Sequence, residues 1–162
     1  AGTYKGPHVF TITGEGTNEL YVDYWGNGSW NYSGSGSEER TLSIAGTYSV
    51  LIKQHDWFGR YSPTTGPIAV VIDNTAPGEV SDVAVVYGAE GATVTWNDPA
   101  DEDLATIELV ESLTDATVVT VAGGTQELTV DGSSDGAPVE FDLITIDAVG
   151  NRSEGFPLAI KQ

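Results

Sequence analysis

Cysteine is absent from this chain of 162 residues. No disulfide can contribute to stability, so each folded unit must stand on its own hydrophobic core. The absence leaves the compartment open, because cytosolic and exported bacterial proteins both tolerate it. Histidine occurs only at His8 and His55. A nucleophile–base pair needs such a base beside Ser, Thr or Cys. His55 precedes Asp56, but neighbouring strand residues point to opposite faces, so adjacency makes no dyad. Also missing are a Gly-x-Ser-x-Gly elbow, a Gly-rich phosphate loop and a His-rich zinc spacing. The expectation is a chain that is not an enzyme. No run of 18 apolar residues occurs, so no membrane-spanning helix and no membrane insertion are expected.

Basic residues are scarce. Lys and Arg total 6 against 24 Asp and Glu, for a net charge of −18. The imbalance is uneven: residues 1–76 hold 7 acids and 4 bases, and residues 77–162 hold 17 acids and 2 bases. Such a field repels nucleic-acid phosphates and anionic membranes, so neither is an expected partner. It suits a divalent cation, a basic partner, or a simple solvated acidic surface.

What is present is a repeat. Residues 48–62 read YSVLIKQHDWFGRYS and residues 139–153 read VEFDLITIDAVGNRS, 91 positions apart. Each alternates apolar and other residues up to an Asp (Asp56, Asp147). Each then has a Gly three residues on (Gly59, Gly150) and a Ser three beyond that (Ser62, Ser153). Alternation marks a strand and the Gly-bearing break marks a hairpin, so two copies of one small β unit are expected. In the first unit the pattern predicts strands near 8–14, 19–25, 29–33, 40–45, 47–54 and 68–73, with turns at GEGTN, GNG and SGSGSEE. In the second it predicts strands near 80–87, 92–97, 106–112, 117–123, 126–132, 139–147 and 157–162. Ala92, Val94 and Trp96 share one face, as do Val139, Phe141, Leu143 and Thr145, and the two faces should meet in a sandwich core. The fold class is all-β: two tandem immunoglobulin-like/fibronectin type III β-sandwiches, 1–74 and 75–162. The short linker DNTAPGEV should hold them stacked end to end.

Residues 75–162 resemble a bacterial fibronectin type III domain, through TAPGEVSDVAV, VTWNDPADED and FDLITIDAVGNRS. One departure is Val139, which stands where that family usually has Tyr, so its tyrosine-corner hydrogen bond must be absent or replaced. The first unit resembles bacterial Ig-like repeats more loosely, through GTYSVLIKQHDWFG and AVVIDNTAP, and there Tyr48 occupies the corresponding position. The resemblance implies tandem repeats of a secreted or cell-surface protein with further domains on either side. Its implied role is a non-catalytic structural or adhesive module. The alternative is an accessory carbohydrate-binding module of a larger secreted glycan-processing enzyme.

Two residue sets are candidate sites. Calcium takes six to eight oxygens from carboxylates and carbonyls. Asp73, Asn74, Asp98, Asp101, Asp103 and Asp147 could converge at the junction of the units and hold Ca2+ there, stiffening the joint. The other reading of Asp147 is a turn residue whose carboxylate bonds backbone N–H groups. The second set is aromatic: Trp25, Trp30 and Tyr32 around a Gly/Asn/Ser loop, and Trp57, Phe58 and Tyr61 in the hairpin after Asp56. Both loops are expected at one free end of the first unit. The equivalent second hairpin carries Ala148 and Val149, so the turn itself does not demand the rings. Core packing, a protein contact and a glycan platform are the three readings of this set. A protein or glycan at a cell surface is the expected partner.

Overall fold

A computed structural model describes residues 1–14 and 18–162. The turn expected over GEGTN has its centre, 15–17, outside the described residues. The chain divides into two compact units, Ala1–Asn74 and Thr75–Gln162. The described residues form strands and no helix, so no helix is long and apolar enough to cross a membrane.

The first unit holds β1 (Gly2–Lys5), β2 (His8–Thr13), β3 (Glu19–Asp23), β4 (Asn31–Ser35), β5 (Ser37–Leu42), β6 (Gly46–His55) and β7 (Thr65–Asp73). A five-stranded sheet runs β1-β7-β6-β3-β4 and faces the two-stranded sheet β2-β5. Period-two alternation decides what lies between them. Leu20 and Val22 of β3, Tyr48 and Val50 of β6, Val70 and Ile72 of β7 and Ile12 of β2 form the core. Burying each Leu or Ile there stabilises the unit by about 2 kcal/mol. The same alternation turns Tyr21 and Lys53, which pair across β3 and β6, to the outer face of the sheet.

The second unit holds β8 (Ser81–Gly88), β9 (Gly91–Asn97), β10 (Leu104–Glu111), β11 (Ala116–Ala122), β12 (Glu127–Val130), β13 (Pro138–Asp147) and β14 (Phe156–Lys161). A four-stranded sheet, β11-β10-β13-β14, packs on a three-stranded sheet, β12-β9-β8. Ala92, Val94 and Trp96 meet Phe141 and Leu143 in one core, with Val139 packed at its margin. A buried indole N–H needs a partner. Trp96 Nε1 donates to Asp98 Oδ1 at 2.7 Å.

β7 starts at Thr65, three residues before its expected start at 68, and other strands also depart from the pattern-based expectation. β1 is missing from it, because its four residues gain their order by parallel pairing with β7, a distant partner. β5 lies at Ser37–Leu42 rather than 40–45. Its Ser and Glu residues are poor strand formers, but they pair residue for residue with β2, from His8↔Leu42 to Thr13↔Ser37. β4 lies two residues later than expected, at Asn31–Ser35, set by its pairing with β3. The tyrosine corner is present in the first unit: Tyr48 OH donates to the Ile44 carbonyl at 2.8 Å. In the second unit, where Val139 replaces the Tyr, main-chain bonds tie this region, Gln162 N to Ala137 O at 2.9 Å and Ser133 N to Lys161 O at 2.8 Å.

Candidate binding face and acidic loops

The 91-residue repeat is a repeat of hydrogen bonds. In the first hairpin Asp56 N donates to Arg60 O, Gly59 N to Asp56 O and Ser62 N to Gln54 O. In the second, Asp147 N donates to Asn151 O, Gly150 N to Asp147 O and Ser153 N to Thr145 O. Each Ser Oγ accepts from the strand opposite, Gln54 N at 2.9 Å and Thr145 N at 3.0 Å. Each Asp Oδ1 accepts two turn N–H groups: Phe58 and Arg60 on Asp56, Val149 and Asn151 on Asp147. Gly59 and Gly150 have φ of 81° and 89°, the left-handed region that glycine enters at little cost. The lock on each second carboxylate oxygen differs. Arg60 grips Asp56 through Nε and Nη2 at 2.8 and 2.7 Å, in solvent. Asn151 Nδ2 grips Asp147 at 2.7 Å, and both of these side chains are buried.

The six aromatic candidates fall into three groups. Trp30, Tyr32 and Tyr61 share the outer face of the five-stranded sheet. Tyr21 joins them as the centre of the group, with its ring 5.8 Å from Tyr32 and 5.7 Å from Tyr61, edge to face. Lys53 Nζ lies 4.0 Å from the Trp30 ring and 4.5 Å from the Tyr61 ring, a cation shared by two π faces. His55 packs beside Tyr61 at 4.7 Å. Trp57 and Phe58 form the second group, T-shaped at the hairpin tip, with Trp57 89% and Phe58 74% exposed. The third is Trp25, which stacks on Tyr48 at 4.6 Å.

The two loops do not lie at one end of the unit, and that expectation is corrected. β3 and β6 are antiparallel, with Glu19 opposite His55 and Asp23 opposite Leu51. The Trp57 hairpin therefore follows one end of β3 and the Trp25 turn follows the other, about 13 Å away at the rise of a strand. Tyr21, Lys53 and Glu19 were not singled out in the sequence, and His55 was weighed there only as a catalytic base. Their signal was available: Tyr21 and Lys53 are the polar-face members of two alternating strands.

Electrostatics bind the face together. Glu19 Oε2 is 3.0 Å from His55 Nδ1 and accepts from Tyr21 OH at 3.3 Å. Desolvation and the nearby Glu19 carboxylate raise the Tyr21 pKa above its ordinary value, which keeps the phenol a hydrogen-bond donor. Asp23, fully buried, fixes the turn that carries Trp25. Its burial acts to raise the pKa, but N–H groups of Gly28, Trp25, Asn27 and Gly26 outweigh it and lower the pKa.

Asp73 and Asn74 end the first unit. Asn74 ties it internally, accepting from Gly6 N at 2.9 Å and donating to Ser43 O at 3.0 Å. In the second unit three of the four remaining acids hold protein donors. Asp98 accepts from Trp96 Nε1 and from Gly124 N, Asp101 from Gly78 N, and Asp147 from its own hairpin. Asp103 is exposed, and its carboxylate lies within 4.8 Å of that of Asp147, oxygen to oxygen. The Asp103 carbonyl accepts from Ala148 N at 2.9 Å, which joins the two loops.

No protein-family model matches this chain, and no curated protein matches it. Solved structures do. Fibronectin(III)-like modules of CbhA from Clostridium thermocellum are 12% identical, with a TM-score of 0.60 over 98% of this chain and 87% of that one. The FN1-FN3 domains of chicken CNTN1 are 15% identical, with a TM-score of 0.58 over 99% of this chain and 63% of that one. A run of titin domains is 14% identical, with a TM-score of 0.59 over 99% of this chain and 61% of that one. At such identities the likeness shows the fold. Both units are β-sandwiches of the fibronectin III/Ig-like class.

Proposed function

We propose that this chain is a non-catalytic module of a bacterial surface or secreted protein, and that it binds a protein partner through the outer aromatic face of its first unit. The observation that carries this reading is the grouping of Tyr21, Trp30, Tyr32 and Tyr61 around Lys53 on an open sheet face. Tyr and Trp beside a cation and a carboxylate make a surface typical of protein contacts, with large rigid rings and few rotamers to freeze. The carbohydrate-module alternative wants flat ring faces turned outward together. Here the rings meet edge to face, and Lys53 covers the faces of Trp30 and Tyr61. Support for a module rather than an enzyme comes from the acids: Asp23, Asp56, Asp98, Asp101 and Asp147 all bind main-chain N–H groups.

Two immobilised panels test the reading: collagen, laminin and fibronectin as proteins, and cellulose, xylan and chitin as glycans. The expected result is retention on a protein surface, weakened about tenfold or more by Tyr32→Ala with Tyr61→Ala, with stability changed by no more than about 0.5 kcal/mol. Retention on glycans alone would transfer the face to the carbohydrate reading. Retention on neither removes both.

Calcium is a second reading, favoured by the close Asp103 and Asp147 carboxylates. A divalent ion there would cancel their repulsion. The expected outcome is a higher thermal midpoint in calcium than in chelator, and none of that rise in Asp103→Asn.

A further inference from the structure

The two units place their first strands in different sheets. In the second, β8 pairs antiparallel with β9, and Val83, Val85 and Tyr87 pack on the core. In the first, β1 pairs instead with β7, and β2 has a strand on one side only, β5. The Gly14 N to Gly36 O bond continues the β2–β5 ladder and sets its phase. Residues of even number exchange bonds with β5, so the N–H and C=O groups of Val9, Thr11 and Thr13 point to the open edge. No ladder partner for that edge is found among the described residues.

An apolar cavity of about 180 Å³ opens beside it, walled by Phe10, Ile12, Leu42, Ile52, Ile68 and Val70. Its lining takes four consecutive residues of β2, Phe10 to Thr13, but only the same-face pair Arg40 and Leu42 of β5. The cavity therefore reaches past the edge of β2 and not that of β5. An unpaired strand edge beside an apolar slot is the geometry of strand addition, in which main-chain bonds give affinity and alternate side chains fill the slot.

We propose that this groove docks an extended peptide segment of a partner protein. The segment lies antiparallel to β2 and carries β-branched or aromatic side chains at every second position. The argument for that occupant is internal to the molecule: β8, reading SDVAVVYG, is such a segment, and it fills the corresponding place in the second unit. The site is separate from the outer aromatic face, since it opens between the sheets.

The test uses the full chain, labelled for amide exchange, and a synthetic peptide of sequence SDVAVVYG as probe. Saturating peptide should slow exchange at Val9, Thr11 and Thr13 about tenfold or more. A peptide with Val83→Asp and Val85→Asp should not, and nor should one N-methylated at alternate residues, which cannot bond the ladder. Thr11→Pro should abolish the protection while preserving the fold, because proline is tolerated where an edge N–H faces solvent. The N-methylated peptide leaves the protein untouched and keeps the test decisive if that variant misfolds. Unchanged exchange at these three amides overturns the proposal. So does protection before peptide is added, in a chain that sediments as a dimer, for a second copy would then close the edge.

Discussion

The hairpins at Asp56 and Asp147 share one set of main-chain bonds and differ in nearly everything else. The shared part needs only an Asp, a Gly and a Ser at fixed offsets. The remaining positions are free, and the two units fill them differently. The second puts Ala148, Val149 and Asn151 there, burying its lock. The first puts Trp57, Phe58, Arg60 and Tyr61 there, all exposed. A turn held by few residues can be a structural corner in one copy and a display loop in the other.

Replacing Asp147 with Ala gives the largest expected loss. Val149 N, Asn151 N and Asn151 Nδ2 would lose their acceptor in a buried setting, at about 3 kcal/mol. Urea unfolding followed by amide exchange should locate that loss in the second unit. Asp56→Ala should cost clearly less in the same experiment, because its partners reach water; equal losses would end the contrast between a buried and a solvated lock. Tyr48→Phe, which removes the corner bond to Ile44, should lower the stability of the first unit by about 1 kcal/mol. No second-unit counterpart exists for that change, since Val139 has no hydroxyl to lose.

Acid should sharpen the comparison further. The N–H and guanidinium of Arg60, acting against desolvation, lower the Asp56 pKa, and the turn N–H groups lower that of Asp23. Both folded values lie below the ordinary carboxylate value near about 4. In the window between, the unfolded chain binds more protons, so stability rises with pH there. The contribution is complete above about pH 4 and fades as pH falls through the folded pKa values. Protection factors at first-unit amides, with the intrinsic pH dependence of exchange divided out, should therefore fall below about pH 4, and Asp56→Asn should flatten that dependence slightly.

Much of the fold was legible in the residues. β6 and β13 are long alternating runs that end in turn chemistry, and both factors act within a few residues of each other. The aromatic face was half legible. Trp30, Tyr32 and Tyr61 stood out by type, but Tyr21 and Lys53 are unremarkable in the sequence and become central only through cross-strand register. Trp25 stood out equally and lies elsewhere, because the antiparallel run of β3 against β6 sends its turn to the opposite end.

The sequence by itself determined the long alternating strands, the two-unit repeat, the hairpin frames and the acidic imbalance. Each follows from alternation, from turn residues or from counted charge, and none needs a distant partner. Only the tertiary structure decided that β1 joins β7 while β8 joins β9, which strand edge is left open, and which rings share a face. Those outcomes depend on pairing between residues tens of positions apart. There the free energy is summed over whole strands, and no local pattern encodes it.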